Sequence, residues 1–273
     1  MLFCVLFRTH GIVYKNNSHN IGAGMSQNIY DNERFFEQYI SLRRGKNYND
    51  LLEQPAMKRL LPEVKGKRIL DIGCGYGANS LSFAQMGAEY VLGIDISKKM
   101  LDMAKSQYCH AHVEYRCLDM SQISEISCKF DFIYSSLAFH YAENFSKLIH
   151  DCYGLLRNGG YLLFSQEHPI VTAAYDREGY FHRGTNGEYL SYTFSHYGES
   201  GKRSGTWFVE GVESYHRTMG EIVTALGREG FILEELVEPL PAQEALQVKP
   251  DLIKEFVRPT FLIIRAKKRN ENE

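Results

Sequence analysis

Excess charge is the first thing this 273-residue chain lacks: 31 Lys and Arg stand against 33 Asp and Glu, a formal balance of −2. Such a balance leaves no electrostatic footprint for a polyanion, so neither nucleic acid nor an anionic membrane is expected as a partner, and a small molecule is. No stretch resembles a bilayer span of about 20 apolar residues. Leu2 to Phe7 is apolar but far too short, with no basic segment ahead of it and no small-residue cleavage site close behind, which argues against a signal peptide. The six cysteines, Cys4, Cys74, Cys109, Cys117, Cys128 and Cys152, form no Cys-x-x-Cys pair and do not cluster with histidines at ligand spacing. No metal is therefore expected, and free thiols suit a reducing cytoplasm. Internal repeats, heptads and low-complexity tracts are absent too, and Trp207 is the one tryptophan. What remains is an ordinary globular composition, 44% apolar and 23% charged, in a chain long enough for one sizeable core with an insertion.

The most informative stretch is Ile69-Leu70-Asp71-Ile72-Gly73-Cys74-Gly75-Tyr76-Gly77. A short apolar strand runs into alternating glycines and then a helical pattern, Ala78 to Met86. Glycines there let the backbone turn sharply and let a ligand approach, while the helix start offers free N–H groups. A dinucleotide fingerprint needs G-x-G-x-x-G, and the place of its last glycine is Ser80. Asp71, at the strand end, would repel a pyrophosphate and hold an ammonium group. The pattern points to a cationic amino-acid ligand, with Cys74 a small apolar filler beneath it rather than a nucleophile.

Asp71 to Gly77 resembles the glycine-rich signature of class I S-adenosylmethionine-dependent methyltransferases, and further motifs resemble that family in the same order. Val91 to Ser97 is similar to its second strand ending in an acid. Asp95 would grip the ribose hydroxyls, with Ile96 beside it and Met100 on the first turn of the helix Lys98 to Tyr108; a carboxylate accepts from two vicinal hydroxyls at once. Cys117-Leu118-Asp119-Met120 resembles the adenine segment, where Asp119 would accept from the exocyclic amine and Met120 would lie on the ring. Phe130 to Leu137 matches the fourth strand and brings Ser135 and Leu137 to the cofactor. The resemblance covers most of Met25 to Lys268. It implies S-adenosyl-L-methionine as cofactor and an α/β, Rossmann-like, doubly wound sheet of seven mostly parallel strands in the order 3-2-1-4-5-7-6. Helices would cover both faces, with an inserted lid after the fifth strand.

Residues 1–24 read as a disordered extension, rich in Asn, Ser and Gly from Asn16 to Gly24, and Met25 is a plausible functional start. Residues 25–273 read as a single domain. Lid helices are expected within 30–62, with Asp31 an N-cap. In the family such a helix folds over the cofactor, so Tyr30, Tyr39 and Arg43 would line the site; the alternative is that the aromatics only pack on the sheet. Glu143 to Leu156 is an amphipathic helix and Gly160 to Ser165 a fifth strand. The segment 168–213 breaks the rhythm with many glycines and aromatics, as a substrate-side insertion with a small β-hairpin does. Thr218 to Glu221 is a capping box, and Phe231 to Glu238 and Phe261 to Lys267 are the last strands.

Methyl transfer from a sulfonium is an in-line displacement, which needs positioning, exclusion of water and a base only where the acceptor loses a proton. His140, just past the fourth strand, is the candidate base, with hydrogen bonding to its loop or stacking on adenine as alternatives. Tyr141, Glu167, His168, His216 and Arg217 are candidate substrate contacts. Arg217 would either clamp a carboxylate or pair with Glu167. Where amino-methylating enzymes of this fold carry an Asn/Asp-Pro-Pro-aromatic tetrad, this chain has Ser135-Ser136-Leu137-Ala138, which disfavours amine methylation of DNA. Three functions stay open: a small-molecule methyltransferase, a methyltransferase of RNA or protein, and a non-catalytic nucleoside-binding module. The sequence gives no oligomeric state.

Overall fold

The computed structural model describes residues 26–175 and 179–270; the extension over residues 1–24, and Met25, lie outside the described residues. Helix α1 (Glu33–Arg43) is capped by Asn32, whose side chain accepts from the Phe35 N–H at 3.0 Å. Asp31 was the expected cap. It turns instead to another helix, accepting from Ser97 Oγ at 2.7 Å and the Lys99 N–H at 3.0 Å. The first helical residues behind Ser97 have N–H groups without intrahelical partners, so an acid from outside is well placed there. Helix α2 (Gln54–Arg59), with Pro55 in its first turn, leads to the sheet.

The alternation then runs β1 (Arg68–Ile72), α3 (Ala78–Gln85), β2 (Tyr90–Asp95), α4 (Lys98–Gln107), β3 (Val113–Cys117), β4 (Phe130–Ser135), α5 (Phe145–Leu155) and β5 (Leu156–Glu167). Strand β1 shows why both faces are covered. Its successive side chains point opposite ways. Leu70 and Ile72 join the core under α5, while Ile69 joins a second core with Met57, Phe83 and Phe132.

After β5 come α6 (Pro169–Thr172) and two antiparallel hairpins, β6 (Tyr180–Arg183) with β7 (Tyr189–Thr193), and β8 (Gly201–Trp207) with β9 (Val209–His216). One hairpin was expected here. The second is anchored by Arg203, 1% exposed, whose guanidinium donates to the carbonyls of Ala173, Glu199, Gly201 and Lys202. A buried cation without a carboxylate is tolerable only with its donors filled in this way. Helix α7 (Met219–Glu229) carries the capping box of Thr218 and Glu221 and ends at Gly230 in the left-handed region, φ +92°. Then follow β10 (Phe231–Val237), α8 (Gln243–Val248) and β11 (Phe261–Lys268).

The main sheet runs β10-β11-β5-β4-β1-β2-β3. Counting only its own strands this is the order 3-2-1-4-5-7-6, with β11 antiparallel to both neighbours and the others parallel. Strand order reverses between β1 and β4, so a crevice opens beyond their carboxyl ends. Among the described residues no helix is long and apolar enough to cross a membrane.

Candidate active site

The crevice is one cavity of about 980 Å³, at the upper end of what small-molecule sites enclose. Its floor is the glycine loop. Gly73, Gly75 and Gly77 lie at φ +71°, +55° and +88°, a region costly for residues with a Cβ. The N–H groups of Gly73 and Cys74 both donate to Ile94 O at 2.9 Å, which ties the loop to β2. Gly73, Cys74 and Gly75 form cavity wall. Gly77 does not; it starts α3, and a Cβ on it would run into the Tyr115 hydroxyl.

Asp71 is also absent from the wall. It points to the same side of the sheet as Ile69, is 1% exposed, and accepts from Ser80 Oγ at 2.6 Å behind the loop. The expected grip on an ammonium group is therefore corrected: the side chain braces the first turn of α3. Ser135 is likewise behind the wall, its hydroxyl donating to Ile72 O at 2.8 Å and joining β4 to β1.

Asp95, Ile96 and Met100 line the next part of the cavity. Each oxygen of Asp95 receives one backbone N–H, from Ser97 at 2.8 Å and from Gly75 at 2.9 Å, which leaves lone pairs for a ligand. Asp119 and Met120 lie further along. Burial pushes the Asp119 carboxyl up, but donors from Ser121 and Ser26 outweigh it and hold the group below its usual range. The Ser26 bonds are 2.9 Å from its N–H and 3.1 Å from its hydroxyl. Gln27 then makes a reciprocal pair with β9, donating to Gly211 O at 2.8 Å and accepting from the Glu213 N–H at 3.0 Å.

Tyr30, Tyr39 and Arg43 all reach the cavity wall. They also pack: the Tyr30 ring meets Phe35, Tyr39 and Tyr141 edge-on, with centroids 5.0, 5.2 and 6.3 Å away. Arg43 lies 3.4 Å from the Tyr76 hydroxyl and 3.8 Å from Asp50. Trp207 both lines the cavity and packs edge-on against Phe35 at 5.2 Å. His140, Tyr141 and Glu167 close the far side. His140 is 5% exposed, its ring centroid 4.2 Å from that of Tyr141 and its Nδ1 3.5 Å from the Glu167 N–H.

Three candidate substrate residues fall outside the cavity wall. His168 caps α6 through the Ile170 N–H and meets Glu238 at 2.8 Å through Nε2. His216 is fully buried, with Nδ1 2.8 Å from Thr172 Oγ1 and Nε2 2.9 Å from Tyr197 O. Arg217 donates to the carbonyls of Ala142 and Glu143. The expected pairing with Glu167 does not occur: no ion pair joins the two among the described residues. Each of these side chains is engaged by its own neighbourhood: His168 braces the start of α6, His216 ties the second hairpin to α6, and Arg217 holds the loop after β4.

Burial makes the acids beneath the loop pH-sensitive. It pushes Asp71 up to about 7 against the Ser80 hydrogen bond, and Asp95 up to about 6 against the N–H groups of Ser97 and Gly75. An unfolded aspartate titrates near 3.8. Between the two values the folded protein holds a proton that the unfolded chain has released, so this contribution to stability is full below about pH 4 and lost as pH rises to about 7. Asp71→Asn removes it while keeping an acceptor for Ser80. Denaturant titrations are expected to show the variant gaining stability relative to the wild type from pH 5 to pH 8; a pH-independent difference would reject the assignment.

Comparison with known proteins settles the family. A methyltransferase-domain family model matches residues 70–164. A crystal structure of an S-adenosylmethionine-dependent methyltransferase from Mesorhizobium loti is 36% identical, with a TM-score of 0.74 over 79% of this chain and 97% of that one. The chain belongs to this family. It is a class I S-adenosylmethionine-dependent methyltransferase, and S-adenosylmethionine is its cofactor. A Haemophilus influenzae protein is 37% identical over 251 residues, 88% of this chain and 96% of that one. A ubiquinone biosynthesis O-methyltransferase of Coxiella burnetii is 33% identical over 104 residues, 37% of this chain and 44% of that one. Within this methyltransferase, sequence motifs missed Ser26, Gln54, Ser136 and Thr206 on the wall and Glu53 behind it. Apart from Ser136, which sits in the fourth-strand match, these residues belong to no local motif, and only the fold brings them together.

Proposed function

We propose that this methyltransferase acts on a small-molecule acceptor, in the cytoplasm, and that nucleic acid is not its substrate. The supporting observation is the cavity itself: about 980 Å³, with Tyr30, Tyr39, Tyr141 and Trp207 as aromatic lining. That volume accommodates a nucleoside and a compact acceptor together. The O-methyltransferase name of the Coxiella burnetii relative, matched over less than half its length, supports the same substrate class. The described cysteines are free thiols, as a reducing compartment favours.

The residues present fit S-adenosylmethionine. At the wall residue Gly75 nothing lies within 4 Å of where a Cβ would stand, which leaves room for a ligand against bare backbone. Asp95 keeps lone pairs for the ribose hydroxyls, Asp119 faces the adenine end beside Met120, and Arg43 stands where the loop meets Tyr76, suited to a carboxylate. When bound, the cofactor supplies an electrophilic methyl group on a sulfonium. Leu137, His140 and Tyr141 then orient the acceptor, and the His140 imidazole accepts its proton where one is lost.

Asp95→Ala is expected to weaken binding of S-adenosylmethionine and of its demethylated product by about 1.5–3 kcal/mol, the scale of hydrogen bonds to a charged group. Isothermal titration reads this directly, and wild-type affinity in the variant would refute the ribose assignment. Incubation with methyl-labelled cofactor and a bacterial metabolite extract tests the substrate class. Label in a small molecule supports it, while label only in added RNA or protein overturns it.

A further inference from the structure

Beside the main cavity lies a second hollow of about 440 Å³, walled by the end of α1, the turn that follows it, the tip of the second hairpin and the residue after α8. Leu42, Asn49 and Trp207 line both spaces, so the two adjoin across these three residues. None of the residues proposed to hold the cofactor lines the smaller one.

The charge of this hollow is one-sided. Its wall carries Lys46 and Lys249 and no carboxylate. Lys249 Nζ stands 5.2 Å from the centroid of the Tyr48 ring, and Lys254 Nζ stands 5.1 Å from the same centroid. The two acids that neighbour the wall in sequence, Asp50 and Asp251, already have cations. Asp50 lies 3.8 Å from Arg43 and accepts from Asn47 Nδ2 at 2.8 Å. Asp251 accepts from Lys254 at 2.6 Å and from the Tyr48 hydroxyl at 2.7 Å. Among the described residues, neither Lys46 nor Lys249 forms an ion pair.

The carboxyl end of a helix opposes an anion through its unfilled carbonyls. At α1 the carbonyls of Ile40, Ser41 and Leu42 accept from the Arg44 and Gly45 N–H groups and from Asn47 Nδ2, which reduces that opposition. Two ammonium groups at the edge of a partly enclosed space then set its sign, and an ammonium is a point charge that suits a carboxylate or a phosphate alike.

We propose that the smaller hollow is a subsite for the anionic end, a carboxylate or a phosphate, of an acceptor whose reacting atom sits in the main cavity. Lys46 and Lys249 meet the charge, and Tyr48 and Trp207 give aromatic surface to the stem that joins the two ends. The proposal rests on the small-molecule reading of the main cavity and narrows it to elongated acids.

The test uses the full-length protein saturated with S-adenosylhomocysteine and two series of ligands: small carboxylic acids, each paired with its primary amide, and phosphate monoesters, each paired with its parent alcohol. Ligand-observed NMR titration gives the affinity ratio within each pair. The wild type is expected to prefer the anionic member by about tenfold or more, with the ratio falling as salt is added. Preference in one series alone assigns the anion as carboxylate or phosphate. Combining Lys46→Met with Lys249→Met should bring the ratio close to one with the affinity for S-adenosylhomocysteine unchanged, and combining Lys46→Arg with Lys249→Arg should keep it. Arg44→Met, which removes an exposed cation next to the hollow but not on its wall, should leave the ratio as in the wild type. Thermal melts separate these effects from a loss of folding, and Lys46→Met alone, a change at an exposed side chain, should already lower the ratio. No anion preference in either series, a preference that survives the double Met variant, or an equal loss in Arg44→Met overturns the proposal. Failure of the wild type to hold S-adenosylhomocysteine would instead overturn the reading of the main cavity, and methyl label found only in RNA or protein would overturn the small-molecule reading.

Discussion

Gly73→Ala is expected to destabilise the protein by about 2–5 kcal/mol and to remove most of its cofactor binding. Two effects add. The φ of +71° puts a residue with a Cβ in a conformation costing about 1–2 kcal/mol. The new methyl would also stand 2.5 Å from Ala138 Cβ, an atom bonded directly to backbone that cannot swing aside, and such overpacking typically costs about 1–3 kcal/mol. Relief requires the loop after β1 and the loop after β4 to separate, and both are cavity wall. Gly75→Ala is the control: its φ is +55°, but a Cβ there meets nothing within 4 Å. Denaturant midpoints and titration with S-adenosylhomocysteine should rank the variants wild type, Gly75→Ala, Gly73→Ala. Equal behaviour of the two variants would show that the Ala138 contact is not what fixes the loop.

His140→Ala is expected to lower turnover by about 10²-fold or more, the range for a lost general base, and to leave affinity for S-adenosylhomocysteine near that of the wild type. The side chain is 5% exposed on the cavity wall beside Tyr141, and the ribose and adenine contacts proposed for Asp95 and Asp119 do not involve it. The measurement is methyl transfer to the product identified from the metabolite extract, with binding followed separately. Unchanged turnover would reduce His140 to packing against Tyr141. A parallel loss of cofactor affinity would mean that it supports the nucleoside.

The parts of the site that could be read from sequence are those whose chemistry is local. The glycine loop after β1, Asp95 at the end of β2 and Asp119 just after β3 each sit at a strand's carboxyl end, and all but Gly77 of these reach the cavity. Asp71 misled because position along a strand does not give its side; pleat parity turns it with Ile69 and away from the ligand. His216 misled for the same reason. Along β9 the buried positions are Val212, Ser214 and His216, so the histidine faces inward against Thr172. Asp31 was read as the cap that Asn32 provides, because what draws Asp31 away is Ser97, 66 positions on. Ser136 lies in the fourth-strand match, but its partner Glu53, 83 positions away, carried no local signal.

The reciprocal pair that Gln27 makes with β9 resembles one rung of a ladder, and the residue before it holds the Asp119 carboxylate. The leading segment thus works as a latch fastened at two distant points. Ser26, Gln27 and Asp119 all line the cavity, so the two fastenings hold part of its wall in place.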